Sequence, residues 1–297
     1  TLTPSPLFST GVLGASLISL GGNDNQKQSL LPQIVEGSLT TALALEETNR
    51  HAPFSIATKA KKEGDNFEIS GEKTFVIDGH SANLIIVASR TEGATDDASG
   101  ITLFLVDPES KGVEITKTSM VDSRNAASIK FNKVIISQSE ILGEQNNGAA
   151  VLEEVLDRAQ IAISAEMLGN ASQAFDLTLE YLKERKQFGA VIGTFQALQH
   201  RAAEMYSELE LTKSSVIAAC NAVDEKSNDL KRMASLAKFK AGETNYLVTN
   251  EAVQMHGGVG VTDEYDVGLF MKRARVTEQI FGNSEYHLDR YANLSDY

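Results

Sequence analysis

A single cysteine, Cys220, leaves the chain unable to close an intrachain disulfide, so a reducing compartment is the simpler expectation. Cys220 itself reads as a small buried helix residue. No lysine- or arginine-rich run is present, and 27 basic residues against 40 acidic ones give a formal net charge of −13. Nucleic acid and anionic membrane both require a cationic face, which makes either a poor main partner. A net negative surface does not exclude an anionic small ligand, because local arginines decide that. No apolar run approaches the roughly 18 residues of a membrane helix, and Leu13 to Leu20 is too short. Thr1 to Thr10 has neither an initiator methionine nor the charged start of a signal peptide, and reads as a stretch inside a longer gene product. A soluble, cytoplasmic protein is expected.

What is present divides into three parts. The 297 residues suffice for about two domains on the prior of one per roughly 150 residues. From Val12 to Glu36 the pattern is helix, glycine pair, helix, with Leu13, Leu17 and Leu20 on one face, Gly21-Gly22 as the stop and Gln26 to Gly37 as the resumption. From Thr40 to Glu140 short β-rich stretches follow, among them Phe67 to Ser70, Leu84 to Ser89, Ile101 to Val106 and Val134 to Ser137, separated by turn signals such as Asp107-Pro108 and Lys111-Gly112. Strands at this spacing without helices between them predict an antiparallel barrel or sandwich. After the polar hinge Gly143 to Gly148, Val151, Leu152, Val155, Ala159, Ala162, Leu168, Phe175 and Leu182 recur at helical spacing. Thr194 to Val223, Ser227 to His256 and Leu269 to Phe281 predict three more helices, and four long helices with short connections predict a bundle. The expected fold is α+β, with parts 1–40, 41–142 and 143–297.

Two glycine-bearing corners stand at helix ends: Arg185-Lys186-Gln187-Phe188-Gly189 and Gln254-Met255-His256-Gly257-Gly258-Val259-Gly260. Both can be read as ordinary helix C-caps, where cations suit the negative terminus and glycine adopts the left-handed conformation. Alternatively, the first sets a permanently charged guanidinium beside an aromatic ring, suited to a phosphate and a flat heterocycle. The second lets a ligand approach the backbone, because glycine has no Cβ. It is not a dinucleotide fingerprint: no strand precedes it and the glycine spacing is wrong. Together the two corners suggest a large anionic cofactor.

The order of these segments and their flanks, Tyr181 to Gln196 and Glu251 to Arg275, resemble the acyl-CoA dehydrogenase family of flavoenzymes. The family's Y-x-x-x-R-x-Q-F-G followed by F-Q is matched by Tyr181, Arg185, Gln187, Phe188, Gly189, Phe195 and Gln196. Its Q-x-x-G-G-x-G-x-T is matched by Gln254, Gly257, Gly258, Gly260 and Thr262. The resemblance implies that Arg185, Phe188, Phe195 and Gln196 contact FAD, with Arg185 on the pyrophosphate, and that Gln254, Gly257 and Gly258 run over the flavin of a neighbouring subunit in a dimer or tetramer. It also implies cofactor contacts for Phe75, Ile77 and Ser284. Phe75 fits the G-x-K-x-W/F-I-T pattern, whereas Ile77 replaces the threonine whose hydroxyl serves the flavin N5 edge. Taken by itself, Gly71 to Gly79 is a hairpin corner and strand. Relative to the family, the first helices of the N-terminal domain are missing.

The resemblance implies α,β-dehydrogenation of an acyl-CoA, with electrons passing to an electron-transferring flavoprotein. That chemistry needs a carboxylate at the α carbon and hydrogen bonds to the thioester carbonyl. In most relatives the base is a glutamate just before a G-T or G-S pair, a point where this chain has Gly282. Some branches draw the carboxylate from the first bundle helix, one residue before a substrate-contacting arginine, which assigns the role to Asp157 and the substrate contact to Arg158. The plainer alternative is an exposed helical Asp-Arg pair. Glu153, Glu154, Glu285 and His287 rank lower, and His256 reads as a loop hydrogen-bonder. Leu45-Glu46-Glu47 sits where the family has T-E-P, which assigns a substrate contact to Glu46, but Thr48-Asn49-Arg50-His51 departs from the G-S-D that follows. The Gly282-Asn283 ending and the Ile77 and Thr48 changes resemble a branch acting on bulky acyl groups. Some of its members are heteromers in which one subunit type lacks a base, so a non-catalytic partner subunit is the second expectation. A flavin oxidase or monooxygenase is the third.

Overall fold

The computed structural model describes residues 2–295. They fall into two compact units, one spanning Pro4–Ala159 and the other the described part of Gln160–Tyr297 with Leu2 and Thr3. The boundary lies inside one long helix.

The first unit opens with a π-helical segment, Leu7–Gly14, that continues into α1 (Ala15–Gly21). A methyl group at Gly14 would lie 1.8 Å from Thr41 Oγ1, so only glycine lets this segment reach strand β1 (Thr41–Ala44). Leu13 and Leu17 are buried as expected, but their partner is Ile18; Leu20 is 37% exposed. The kink in the stripe follows from the π-helical start, which shifts the faces relative to a uniform 3.6-residue period. Helix α2 (Asp24–Glu36) resumes two residues earlier than predicted, because Asn23 and Gln26 form a reciprocal capping box. Gly37 (φ 75°) ends it. Gln26 Nε2 donates to the carbonyl of Ile141 at 2.9 Å, which ties α2 to the sheet.

The sheet comprises β1, β2 (Lys59–Glu63), β3 (Asn66–Ile77), β4 (Leu84–Arg90), β5 (Ile101–Val106), β6 (Val113–Ser119), β7 (Asn125–Ser137) and β8 (Ile141–Leu142), in the order β6-β7-β3-β2-β4-β5-β8. Pairing is mostly antiparallel, as predicted, but β1 and β2 both run parallel to β4. Strands β4 and β5 are buried nearly throughout, whereas β3 and β7 alternate. Phe67, Ile69, Val87, Phe104, Ile129 and Phe131 lead the core, with the rings of Phe67 and Phe104 5.3 Å apart. Burial of each such side chain contributes about 1.5–3 kcal/mol.

The second unit is the helical one. Helix α3 (Gly148–Glu184) begins in the first unit and crosses the boundary; it is followed by α4 (Gln196–Asp224), α5 (Leu230–His256), α6 (Val267–Gln279) and α7 (Ser284–Asn293). The four long helices are those predicted, and α7 is a fifth, shorter one. Its start is set by Asn283, whose side chain accepts from the Tyr286 amide. Alanines 171, 174, 219, 234, 237 and 241 are buried and keep the helices close. A buried polar link crosses three helices: Asn170 Nδ2 donates to Asn245 Oδ1 at 2.8 Å and to the Phe270 carbonyl at 3.0 Å. Cys220 is exposed on α4 rather than buried, because it falls beside the solvent-facing stripe. No helix among the described residues is long and apolar enough to cross a membrane.

Candidate functional site

In the sheet unit the site residues gather on the loop after β1 and on β3. Between Lys73 and Val76 the β3–β7 register shifts, and Phe75 takes up the extra residue with φ 51°. A left-handed phenylalanine is strained, and a bulge of this kind re-aims a side chain out of the ladder. Phe75 and Ile77 are both half-buried. Glu46 Oε1 lies 2.5 Å from His51 Nδ1, so the carboxylate assigned to substrate is engaged by its own loop. Beneath it, Lys73 is fully buried and donates to Glu47 Oε1 at 2.7 Å and to the Leu45 carbonyl at 3.0 Å. Burial pushes the Lys73 ammonium down to about 8, against the pull of Glu47. Burial raises the Glu47 carboxyl, yet Lys73 and the Thr58 amide outweigh it and leave Glu47 below its usual range. The pair is therefore ionised at neutral pH.

On α3, Asp157 is 1% exposed while Arg158, next to it, is half-buried and donates to Glu154 Oε1 at 2.6 Å. The alternative of an exposed Asp-Arg pair thus does not describe this helix. A buried carboxylate carries a desolvation cost that a surface one does not. Periodicity alone could not place it, since Asp157 lies beside the apolar stripe of Val155, Leu156 and Ala159.

In the helical unit, the two glycine-bearing corners meet at one end. The Tyr181 hydroxyl donates to the His256 carbonyl at 3.2 Å, and the two rings stack with centroids 4.2 Å apart. Tyr265 meets both rings edge-on. His256 is the last residue of α5; its Nδ1–H donates to the Ala252 carbonyl at 2.7 Å, and burial holds the imidazole below its usual value. It belongs to the helix end rather than to the loop beyond.

Past Arg185 the chain forms a hairpin, β9 (Lys186–Gln187) with β10 (Ala190–Val191), where only a turn was expected. Its two-residue loop, Phe188 (φ 56°) and Gly189 (φ 79°), has the double positive φ of a type I′ turn. Phe188 stands 90% exposed at the tip, edge-on to Phe195 at 6.3 Å. Phe195 caps α4, and Gln196 is exposed at that helix's first position, where free amides favour an anion. The Arg185 carbonyl accepts from the Ile192 amide, which seats the arginine at the hairpin's base. Among the described residues no carboxylate pairs with its exposed guanidinium. Gly257 (φ 66°) and Gly258 are exposed, and a Cβ on either would meet nothing. Gln254 is exposed, and its carbonyl accepts the Gly257 amide, so the C-cap reading of this corner is also present in the geometry. Gly260 is a packing glycine, since a Cβ there would lie 2.6 Å from the Val253 carbonyl.

Beyond α6, Phe281 (φ 54°) and Gly282 (φ 100°) form a left-handed turn. Lys238, 0% exposed, donates to the carbonyls of Gly282 at 2.8 Å and Glu278 at 3.1 Å, and burial drives it down to about 8 against Glu278. His287 Nε2 holds the Phe281 carbonyl at 2.9 Å. The Ser284 amide and hydroxyl both donate to Glu278 Oε1. A Cβ at Gly282 would lie 2.4 Å from Tyr286 Cδ1 and 2.9 Å from His287 Nε2, so this turn has no room for a side chain as it stands. Sequence reasoning passed over Lys238, although a lysine among Ala234, Ala237 and Ala241 on a helix's apolar face was a readable signal. Tyr265 gave none.

These features fit an aromatic, anionic cofactor: an arginine with no carboxylate partner among the described residues, an exposed aromatic at a hairpin tip, a helix N-terminus and a side-chain-free ledge. Known proteins point the same way. Residues 42–134 match the family model "Acyl-CoA dehydrogenase, middle domain" and residues 146–294 match "Acyl-CoA dehydrogenase, C-terminal domain". The chain is 33% identical over 290 residues to the 3-(aryl)acrylate reductase of Clostridium sporogenes, covering 95% of this chain and 74% of the relative. It is 30% identical over 279 residues to the mitochondrial short/branched chain specific acyl-CoA dehydrogenase of Bos taurus, covering 93% of this chain and 64% of that protein. Among solved structures, butyryl-CoA dehydrogenase from Megasphaera elsdenii superposes with a TM-score of 0.92 at 29% identity, over 98% of this chain and 77% of the other.

Proposed function

Because this chain belongs to the acyl-CoA dehydrogenase family, whose members are FAD-dependent, we propose that it oxidises an acyl-CoA thioester to a trans-2-enoyl-CoA and passes the electrons to an electron-transferring flavoprotein. FAD, when bound, supplies the acceptor for the hydride leaving the β carbon. In the sheet unit, Phe75 and Ile77 would meet a flavin ring. In the helical unit, Arg185 would neutralise a pyrophosphate, Phe188, Phe195 and Gln196 would hold a cofactor beside the α4 terminus, and Ser284 would be a further contact. Gln254, Gly257 and Gly258 serve the cofactor of a neighbouring subunit in a dimer or tetramer. Asp157 takes the α proton on its carboxylate, while Arg158 and Glu46 orient the substrate. The acyl group is bulky. The single cysteine supports a cytoplasmic location.

The observation that carries the reading is the burial of Asp157 one residue before Arg158. Burial shields from water the proton that the carboxylate removes, which a base in a closed site requires. The test is anaerobic bleaching of the bound flavin by a panel of acyl-CoAs in wild type and Asp157→Asn. Bleaching by wild type that is lost in the variant supports the assignment. Equal bleaching by both proteins sinks it.

A second reading has its own support in the crowded turn at Gly282, which has no room for a side-chain carboxylate: a subunit that shares FAD with a catalytic partner and abstracts no proton itself. Under it, a reconstituted heteromer carrying Asp157→Asn keeps full turnover.

A further inference from the structure

Strand β3 and the loop that precedes β2 touch at more places than a chance crossing needs. Lys73, on β3, bonds to the Leu45 carbonyl and the Glu47 carboxylate. That same carboxylate accepts the amides of Ala57 at 2.6 Å and Thr58 at 2.9 Å, at the far end of the loop. The Thr74 amide donates to the Glu46 carbonyl at 2.8 Å. At residue 71 a Cβ would come within 2.5 Å of Thr58 Oγ1 and 2.7 Å of its Cα, so the strand approaches the loop as closely as glycine allows. From the other side, Arg90 on β4 sends its guanidinium to six main-chain carbonyls, including those of Phe54 and Ile56 in this loop.

We propose that Glu47 and Lys73 are positioning residues that fix the loop 45–58 and the Phe75 bulge as one unit, so that the groups meeting substrate and the ring meeting flavin keep a set separation. This rests on the reading under Proposed function. The physical argument is local. Both ends of the loop converge on one carboxylate, and the ammonium that neutralises it sits at the residue where β3 leaves its register, two before Phe75. The loop cannot shift without breaking bonds to a buried charge, and the bulge cannot flatten without moving that charge. Where the family pattern has proline, whose ring stiffens the backbone covalently, this chain has Glu47, which holds it through two amides and an ion pair. Burying an ammonium is costly, and a methionine would fill the volume, so stability alone does not account for Lys73.

The test uses the full chain loaded with FAD, as Glu47→Leu, Lys73→Met and the double variant. Each single variant strands a buried charge and lowers the thermal midpoint; the double removes both charges and regains most of the loss. Positioning does not recover. In the double, the amides of Ala57 and Thr58 exchange with solvent at least about tenfold faster than in wild type, the factor for losing one hydrogen bond to a charged group. The rise extends through residues 74–77, and the visible band of the bound flavin shifts. Wild-type exchange at 74–77, or an unshifted flavin band, overturns the proposal. Should the wild type take up no FAD, the cofactor assignment fails separately, and exchange at 74–77 alone decides whether the clamp exists.

Discussion

Replacing Lys238 by methionine separates two effects that oppose each other at neutral pH. Methionine fills similar volume but strands the carbonyls of Glu278 and Gly282, at about 1–3 kcal/mol for each buried acceptor left unpaired. It also abolishes the cost of burying an ammonium. Folding lowers the lysine from its unperturbed 10.5 to about 8. Each tenfold loss of proton affinity is worth about 1.4 kcal/mol, so the charged form carries a cost of roughly 3 kcal/mol at any pH below the folded value. Between these two values the unfolded chain binds more protons than the native one. Stability from this group therefore rises as pH climbs from about 8 toward 10.5, and is lost as pH falls back through the folded value. At neutral pH the two effects largely cancel and Lys238→Met shows a modest change. Raising the pH to about 10 removes the cost from wild type only, and the variant's deficit widens by roughly 2 to 3 kcal/mol. Urea unfolding of both proteins from neutral pH to about 10 reads this directly. A deficit that stays constant across the range, or shrinks, refutes the claim that a buried charged lysine holds this turn.

Other substitutions probe single positions. Gly282→Ala places a methyl group 2.4 Å from Tyr286 Cδ1 in a left-handed turn; a loss of about 2–4 kcal/mol by denaturant titration is expected from overpacking and strain together, and the further substitution Tyr286→Ala recovers part of it. Gly14→Ala meets Thr41 Oγ1 and lowers stability by about 1–3 kcal/mol, visible as a drop in thermal midpoint. Phe188→Asn, at an exposed hairpin tip with positive φ, leaves stability unchanged or raises it by a few tenths of a kcal/mol, because asparagine suits that conformation. Under the proposed function the same variant loses FAD on gel filtration about tenfold more readily, since an aromatic contact and its buried area disappear. An unaltered FAD content removes Phe188 from the cofactor site.

Much of the architecture follows from local rules that a sequence displays. The 3.6-residue recurrence from Val151 to Leu182, the glycine corners after Arg185 and Met255, and the period-two stretches of the sheet depend only on neighbours a few residues apart. Even so, the hairpin after Arg185 and helix α7 were hidden, the first because its strands are two residues long, the second because its start depends on the Asn283 cap. The family motifs were equally local: Tyr181 to Gln196 and Gln254 to Thr262 could be matched position by position.

Tertiary structure alone decided which polar groups lie inside. Asp157 and Arg158 are adjacent and equally polar, yet one is buried and the other is not, because neighbours on a helix differ by about 100° in direction and only the packed partners select the inner face. The same holds for Lys73 and Lys238, whose acceptors Glu47, Glu278 and Gly282 lie 26, 40 and 44 residues away along the chain. Chain order supplied the elements and the family; burial, which requires the whole chain at once, assigned the charges.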